Sequence, residues 1–313
     1  MSAVSILMLA LVFELVVGEP PARLHPVMWM GWCISTLEAA APSIHRGLYG
    51  GFSVLLTAFL FGVLGLVVWR VSTSDSPAIS IVGTLAAAYL LKSTFAVRSL
   101  GDSAAKIRSL LAGGDMDMAR TCLSGVVSRE TSSLDEEHVA SAAIESVSEN
   151  YVDTVVSPIF YYVVLSPFGL SLAGALVFKT VSTFDSRWGY RGEKYGKMGW
   201  LCAKLDDALN FIPARLSVLF VMLSSMSVSK AKCALREALR GHKSTPSPNS
   251  GWSMAAYAGV LGVKLEKQGV YALCPDMRMP TSEDIPRCVR LMYICSAVLF
   301  AVAVLTLLAC GLC

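Results

Sequence analysis

The sequence predicts an all-α, polytopic membrane protein with amphipathic interfacial helices and a re-entrant helical hairpin. Three observations carry that prediction. Apolar residues make up 54% of the 313-residue chain and charged residues 16%, where an ordinary soluble domain carries about 25% charged residues. Several apolar runs approach the length of about 20 residues that a helix needs to cross a bilayer. The charge is gathered into four polar segments, 18–49, 98–154, 179–210 and 229–290, that lie between those runs. With no internal repeat, the chain reads as one polytopic domain, 1–313.

Segment 3–17 is apolar but short, and no Lys or Arg precedes it, which favours a retained membrane helix over a cleaved signal. Glu14 within it must face protein or the interface, because a carboxylate in lipid is costly. Segments 50–69 and 79–97 are spans by length and composition. Segment 98–154 reads as amphipathic helices. Gly113-Gly114-Asp115 starts one, and Ser132 or Ser133 with Glu136 or Glu137 resembles a capping box for another. Segment 155–178 is interrupted by Ser166-Pro167-Phe168-Gly169, so each half is too short to cross alone and the pair reads as a re-entrant hairpin. Segment 211–228 is intermediate, with Pro213 and Arg215 near its start, segment 241–252 reads as a loop, and 291–312 is the final span. Four to six crossings are compatible with this pattern. Segments 18–49, 98–154 and 229–290 share one side if 155–228 makes an even number of crossings; two crossings would put 179–210 on the opposite face, whereas none, with 155–178 re-entrant, keeps all four segments together, the preferred reading. Ten Lys or Arg in 229–290 against one in 70–78 make that side cytoplasmic.

Composition also excludes. A net charge of +3 without a basic stripe gives no case for nucleic acid. Nine scattered cysteines read as small packing residues. There is no Walker loop and no visible Ser-His-Asp set, and a lone His25 reads as structural.

The chemistry-bearing residues are concentrated. Block 180–215 holds Asp185, the run Asp206, Asp207 and Asn210, and six bases, or seven with Lys179. Magnesium takes one or two carboxylates plus phosphate oxygens and water, so this mixture suits a magnesium-bound polyphosphate. Glu145, Glu149 and Asp153 recur every four residues, beside Asn150, on one face of a helix at the membrane boundary. A solvated acidic face is the plain alternative; a metal or substrate role is the functional one. Lys92 ends an apolar segment, where snorkelling competes with phosphate or carboxylate binding. Arg129, Arg187 and Arg191 match phosphate oxygens with a planar fork. Trp188, Tyr190, Trp200 and Trp252 could pack on a flat ligand or anchor the chain at the interface.

Taken in order, the motifs resemble one family. They are Gly18-Glu19-Pro20-Pro21 with His25-Pro26-Val27; Lys92-Ser93; Arg129-Glu130-Thr131; Glu145 to Asn150; Ser157-Pro158-Ile159-Phe160; Thr183 to Arg191; Leu205 to Leu216; and Ser247-Pro248-Asn249-Ser250-Gly251-Trp252. Over residues 14–262 they are similar to the cobalamin-biosynthesis CobD/CbiB family of adenosylcobinamide-phosphate synthases. Glu19 and Glu130 stand where the family commonly has Asp, and Ser182 where Asn is common. The resemblance implies an ATP-dependent ligase that joins a carboxylate of adenosylcobyric acid to (R)-1-aminopropan-2-ol or its phosphate. It implies Asp206, Asp207, Lys92 and Arg191 as catalytic groups. Arg129, Arg187, Tyr190, Arg215, Asn249 and Trp252 would bind ATP and the corrinoid, and Glu145, Glu149, Asp153, Asp185 and Asn210 would ligate Mg2+. Its partners would be ATP, adenosylcobyric acid, aminopropanol phosphate and membrane lipid, with other corrinoid-pathway enzymes or a second copy of the chain as further ones. The location implied is a prokaryotic cell membrane, multi-pass, with the site facing the cytoplasm. The competing readings are a magnesium-dependent intramembrane prenyltransferase, and a non-enzymatic sensor or transporter.

Overall fold

The computed structural model describes residues 2–189 and 195–311. They form two compact units, each assembled from separate stretches of chain where the sequence reads as one domain. The first takes residues up to Ala96, then Ser157–Leu209 and the chain from Ala301; the second takes Val97–Val156 and Asn210–Phe300. Polar segments 18–49 and 179–209 therefore belong to the first unit, and 98–154 and 229–290 to the second.

The first unit holds α1 (Ala3–Val16), α2 (Pro26–Ala39), α3 (Arg46–Ser72), α4 (Pro77–Lys92) and three later helices described below. Ser2 caps α1 through the Ser5 amide at 3.2 Å. His25 caps α2, its Nδ1 accepting from the Val27 amide at 3.2 Å, and Pro26 fills the first helical position, where no amide is needed. Helix α3 packs on α4, and α1 packs on α4.

In the second unit α5 (Val97–Ala112) and α6 (Met116–Ser124) precede α7 (Glu136–Tyr151), which runs into a π-helical turn, Val152–Val156. Asp115 caps α6, as its sequence predicts, accepting from the Met118 amide at 3.2 Å. The cap of α7 is Asp135, not Ser132 or Ser133: its carboxylate takes the His138 amide at 2.9 Å, and an ionised acceptor next to the helix start is the stronger cap.

The predicted break in 155–178 lies in the first unit. Helix α8 (Ser157–Val164) packs against α9 (Ser171–Trp188) through a 3-10 turn, Ser166–Phe168, closed by Gly169 at φ 69. Helix α10 (Trp200–Leu209) packs on α3 and α9. Ile34, Val54, Phe184, Trp188, Met198 and Cys202 form a core cluster between these helices, with Phe184 edge-on to Trp188 at 4.9 Å. Backbones meet closely where side chains are absent. A Cβ on Gly65 would stand 2.7 Å from Ala173, and one on Gly83 would stand 2.5 Å from Ser72.

The second unit continues with α11 (Phe211–Ser224), α12 (Val228–Gly241), α13 (Ser250–Leu261), strands β1 (Leu265–Lys267) and β2 (Tyr271–Leu273), and the start of α14 (Asp284–Ala309). The antiparallel hairpin of β1 and β2 departs from the all-α expectation; three-residue strands carry too little alternation to be read. Segment 241–252 is also not all loop. Its last three residues open α13, and Gly251 is there because a Cβ would stand 2.7 Å from the His242 carbonyl.

Three helical stretches are long and apolar enough to cross a membrane: Arg46–Ser72, Pro77–Ala112 (α4 and α5 taken together) and Asp284–Ala309. Helices α10 and α11 pass that test only as a pair, bent by 42°, so the described residues give three spans, or four if the pair is one, against the four to six the sequence predicts. Helix α1 is apolar but shorter.

Candidate functional site

At the end of α4 in the first unit, Lys92 is 1% exposed. Its ammonium lies 2.8 Å from Glu14 Oε2 on α1 and 2.9 Å from Glu19 Oε1. Lys92 does not snorkel: two carboxylates hold it inside, and Glu14 finds the protein partner its position demands. The second Glu19 oxygen lies 3.0 Å from His25 Nε2. Because His25 Nδ1 accepts the Val27 amide, the proton sits on Nε2, which donates to Glu19. Burial raises the Glu19 carboxyl, but hydrogen bonds from His25 and Lys92, with the Lys92 charge, outweigh it and leave Glu19 below its ordinary range. His25 is thus not alone; it belongs to a four-residue polar chain.

Asp185 on α9 and Asp206 and Asp207 on α10 sit in the same unit. Burial, and then the charge of Asp207, push the Asp185 carboxyl up to about 6. Arg187 is exposed, and its guanidinium donates to the Gly31 carbonyl at 2.5 Å and to Ser35 Oγ at 3.1 Å, tying α9 to α2. Trp188 is fully buried in the core and offers no face to a ligand, while Trp200 is 60% exposed. Tyr190 and Arg191 lie outside the described residues.

In the second unit, Glu145 on α7 is buried and fully engaged. Arg129 donates to both its oxygens, one at 3.4 Å. Ser141 Oγ donates to Oε1 at 2.8 Å, and the Tyr271 hydroxyl on β2 donates to Oε2. Burial lowers Arg129, but its hydrogen bonds and Coulomb attraction to Glu145 more than offset this and raise it. Glu145 therefore anchors Arg129. Glu149, one turn on, is exposed. Asp153 falls in the π-helical turn that follows α7. Asn210 is buried at the start of α11. Tyr271 had no sequence signal, since it lies in a strand too short to be recognised.

A second group in this unit joins α11, the 242–249 turn and α13. Arg215 lies 3.6 Å over the Phe211 ring and 4.9 Å over Trp252, and His242 stacks on Trp252 at 4.2 Å. Asn249 Oδ1 accepts from Arg215 at 3.0 Å. Arg215, Asn249 and Trp252 are thereby brought together.

Among the described residues, no group of three or more His, Cys, Asp or Glu gathers as a metal centre. Magnesium asks for less, one or two carboxylates with the remaining oxygens from phosphate and water. Asp207 lies close enough for its charge to act on Asp185.

Comparison with known proteins gives a consistent result. A profile of the CobD/CbiB proteins matches residues 7–292. The chain is 41% identical over 299 residues to a probable cobalamin biosynthesis protein CobD of Methanothrix thermoacetophila, covering 92% of this chain and 91% of that one. It is 41% identical over 284 residues to the cobalamin biosynthesis protein CobD of Dehalococcoides mccartyi, covering 89% of each. With a probable CobD of Thermococcus kodakarensis the identity is 38%, over 98% of this chain and 96% of the other. No solved structure matches the chain.

Proposed function

The chain belongs to the CobD/CbiB protein family, whose named members are cobalamin biosynthesis proteins, and from that premise we propose that it is an ATP-dependent carboxylate–amine ligase. The substrates would be adenosylcobyric acid and (R)-1-aminopropan-2-ol or its phosphate, and the product adenosylcobinamide or its phosphate. The observation that supports this reading most is the Asp185 carboxyl, pushed up to about 6 beside Asp207. A buried carboxyl raised further by a neighbouring carboxylate suits a divalent cation carrying a polyphosphate. Magnesium bound by Asp185 and Asp207 would neutralise phosphate charge as it develops.

The reaction needs an activated carboxylate. The propionate oxygen attacks the γ-phosphorus of ATP, ADP departs, and an acyl phosphate forms. The amine then attacks the acyl carbon, inorganic phosphate leaves with the bonding pair, and the amine loses a proton. There is little covalent work for the protein, so positioning and charge stabilisation carry the catalysis. Arg215, held near the Phe211 and Trp252 rings and aligned by Asn249, is suited to hold anionic oxygens with its planar fork. Arg129, locked by Glu145 and Tyr271, supplies a fixed positive charge.

Incubating the full chain in nanodiscs with ATP, magnesium, adenosylcobyric acid and aminopropanol phosphate tests the proposal. An amide product formed only with ATP, and lost in Asp207→Asn, is expected. No ATP-dependent corrinoid product would sink it, and turnover of a prenyl diphosphate instead would favour the prenyltransferase reading.

A further inference from the structure

Helix α12 buries one face and leaves another bare. Ala234, Glu237 and Ala238 are buried, and the helix packs on α13. Val228, Leu235 and Leu239, spaced at seven and four residues, fall on a different face, 73%, 39% and 55% exposed. Beside that stripe, Lys232, Arg236 and Arg240 follow at four-residue steps and Lys243 continues them just past the helix end, all exposed. Between 228 and 243 there are five bases and one acid, Glu237, which is already tied to Arg236 at 2.8 Å.

The turn into α12 points the same way. Met226 is 83% exposed and holds a left-handed backbone at φ 53, unusual for a residue with a side chain. Leu219 and Leu223, on the preceding helix α11, are exposed as well. The bare apolar surface thus extends from a helix that passes the spanning test together with α10, over the turn, and along α12.

We propose that α12 lies in the membrane surface, with Met226, Val228, Leu235 and Leu239 at the acyl boundary and its bases on anionic phospholipid headgroups. An aliphatic stripe edged by cations is the pattern of a helix lying in the interface plane. The headgroup charge complements the strip of bases, and the stripe continues from an apolar helix. This surface is independent of the ligase reading, and its test does not depend on turnover.

Benzoylphenylalanine placed at Leu239, and in a second variant at Leu235, reports what covers the stripe in the full chain. The variants are put into nanodiscs of mixed phosphatidylcholine and phosphatidylglycerol, illuminated, and their adducts weighed. Lipid adducts enriched in phosphatidylglycerol beyond its share of the bilayer are expected. Combining Lys232→Glu, Arg240→Glu and Lys243→Glu lowers that enrichment, by up to about fivefold for each base removed, and added salt lowers it too. Adducts to a second copy of the chain, adducts to the two lipids in their bilayer proportions, or no lipid adduct at either position overturns the proposal.

Discussion

Asp185 has a carboxyl raised from 3.8 to about 6 by burial and by Asp207. The folded state therefore binds more protons than the unfolded chain between those values, and stability falls as pH rises through that window. Asp185→Asn should remove this slope and raise stability at neutral pH by up to about 2–3 kcal/mol, seen as a higher thermal midpoint. If the pair takes magnesium, added magnesium should stabilise the wild type more at pH 7 than at pH 5 and should do little for Asp185→Asn. A pH slope without any magnesium effect would keep the electrostatics and discard the metal. Lys92 poses the converse case, a buried cation between Glu14 and Glu19. Lys92→Met strands those carboxylates and should cost about 3–5 kcal/mol; adding Glu14→Gln should recover much of it. If turnover returns along with stability in the double variant, Lys92 is a structural tie rather than a catalytic group. Reading the sequence identified Lys92, Glu14 and Glu19 separately but could not join them, because their pairing is made by α1 packing on α4 across a long stretch of chain.

Helix boundaries were the most legible elements. The Pro-Gly break of 155–178 and the Asp115 cap rest on local backbone chemistry, and both lie where the residues put them. The β1–β2 hairpin and the helical start of α13 were not legible, since a three-residue strand has no period and Gly251 serves close packing instead of a turn. Helix association in the first unit also depends on glycine. In lipid there is little hydrophobic drive between helices, so close backbone contact through small residues carries it. Gly65→Val should force α3 from α9, because even its Cβ would stand 2.7 Å from Ala173, and cost about 1–3 kcal/mol in thermal unfolding. Gly113→Ala, whose Cβ comes no nearer than 3.4 Å to a neighbour, is the mild control. Equal losses in both would remove close packing as the explanation.

For the whole molecule, composition was sufficient to identify a membrane protein and the motifs to identify the family, while the division into two units was not visible in a chain whose segments interleave. The ten Lys or Arg in 229–290 lead the positive-inside bias to predict a cytoplasmic position for that segment. A cysteine introduced at Ser244 should escape a membrane-impermeant thiol reagent in intact cells and react once they are permeabilised; labelling in intact cells would reverse the orientation. The buried Lys92–Glu14 pair also has a consequence for how the chain is made. Helix α1 is short and carries a carboxylate, so it enters lipid poorly while its partner is still unsynthesised. Its counter-ion arrives only when α4 leaves the ribosome, which couples the insertion of the two helices. A nascent chain stalled before α4 should therefore release α1 from membranes into alkaline carbonate, and one stalled well beyond α4 should retain it.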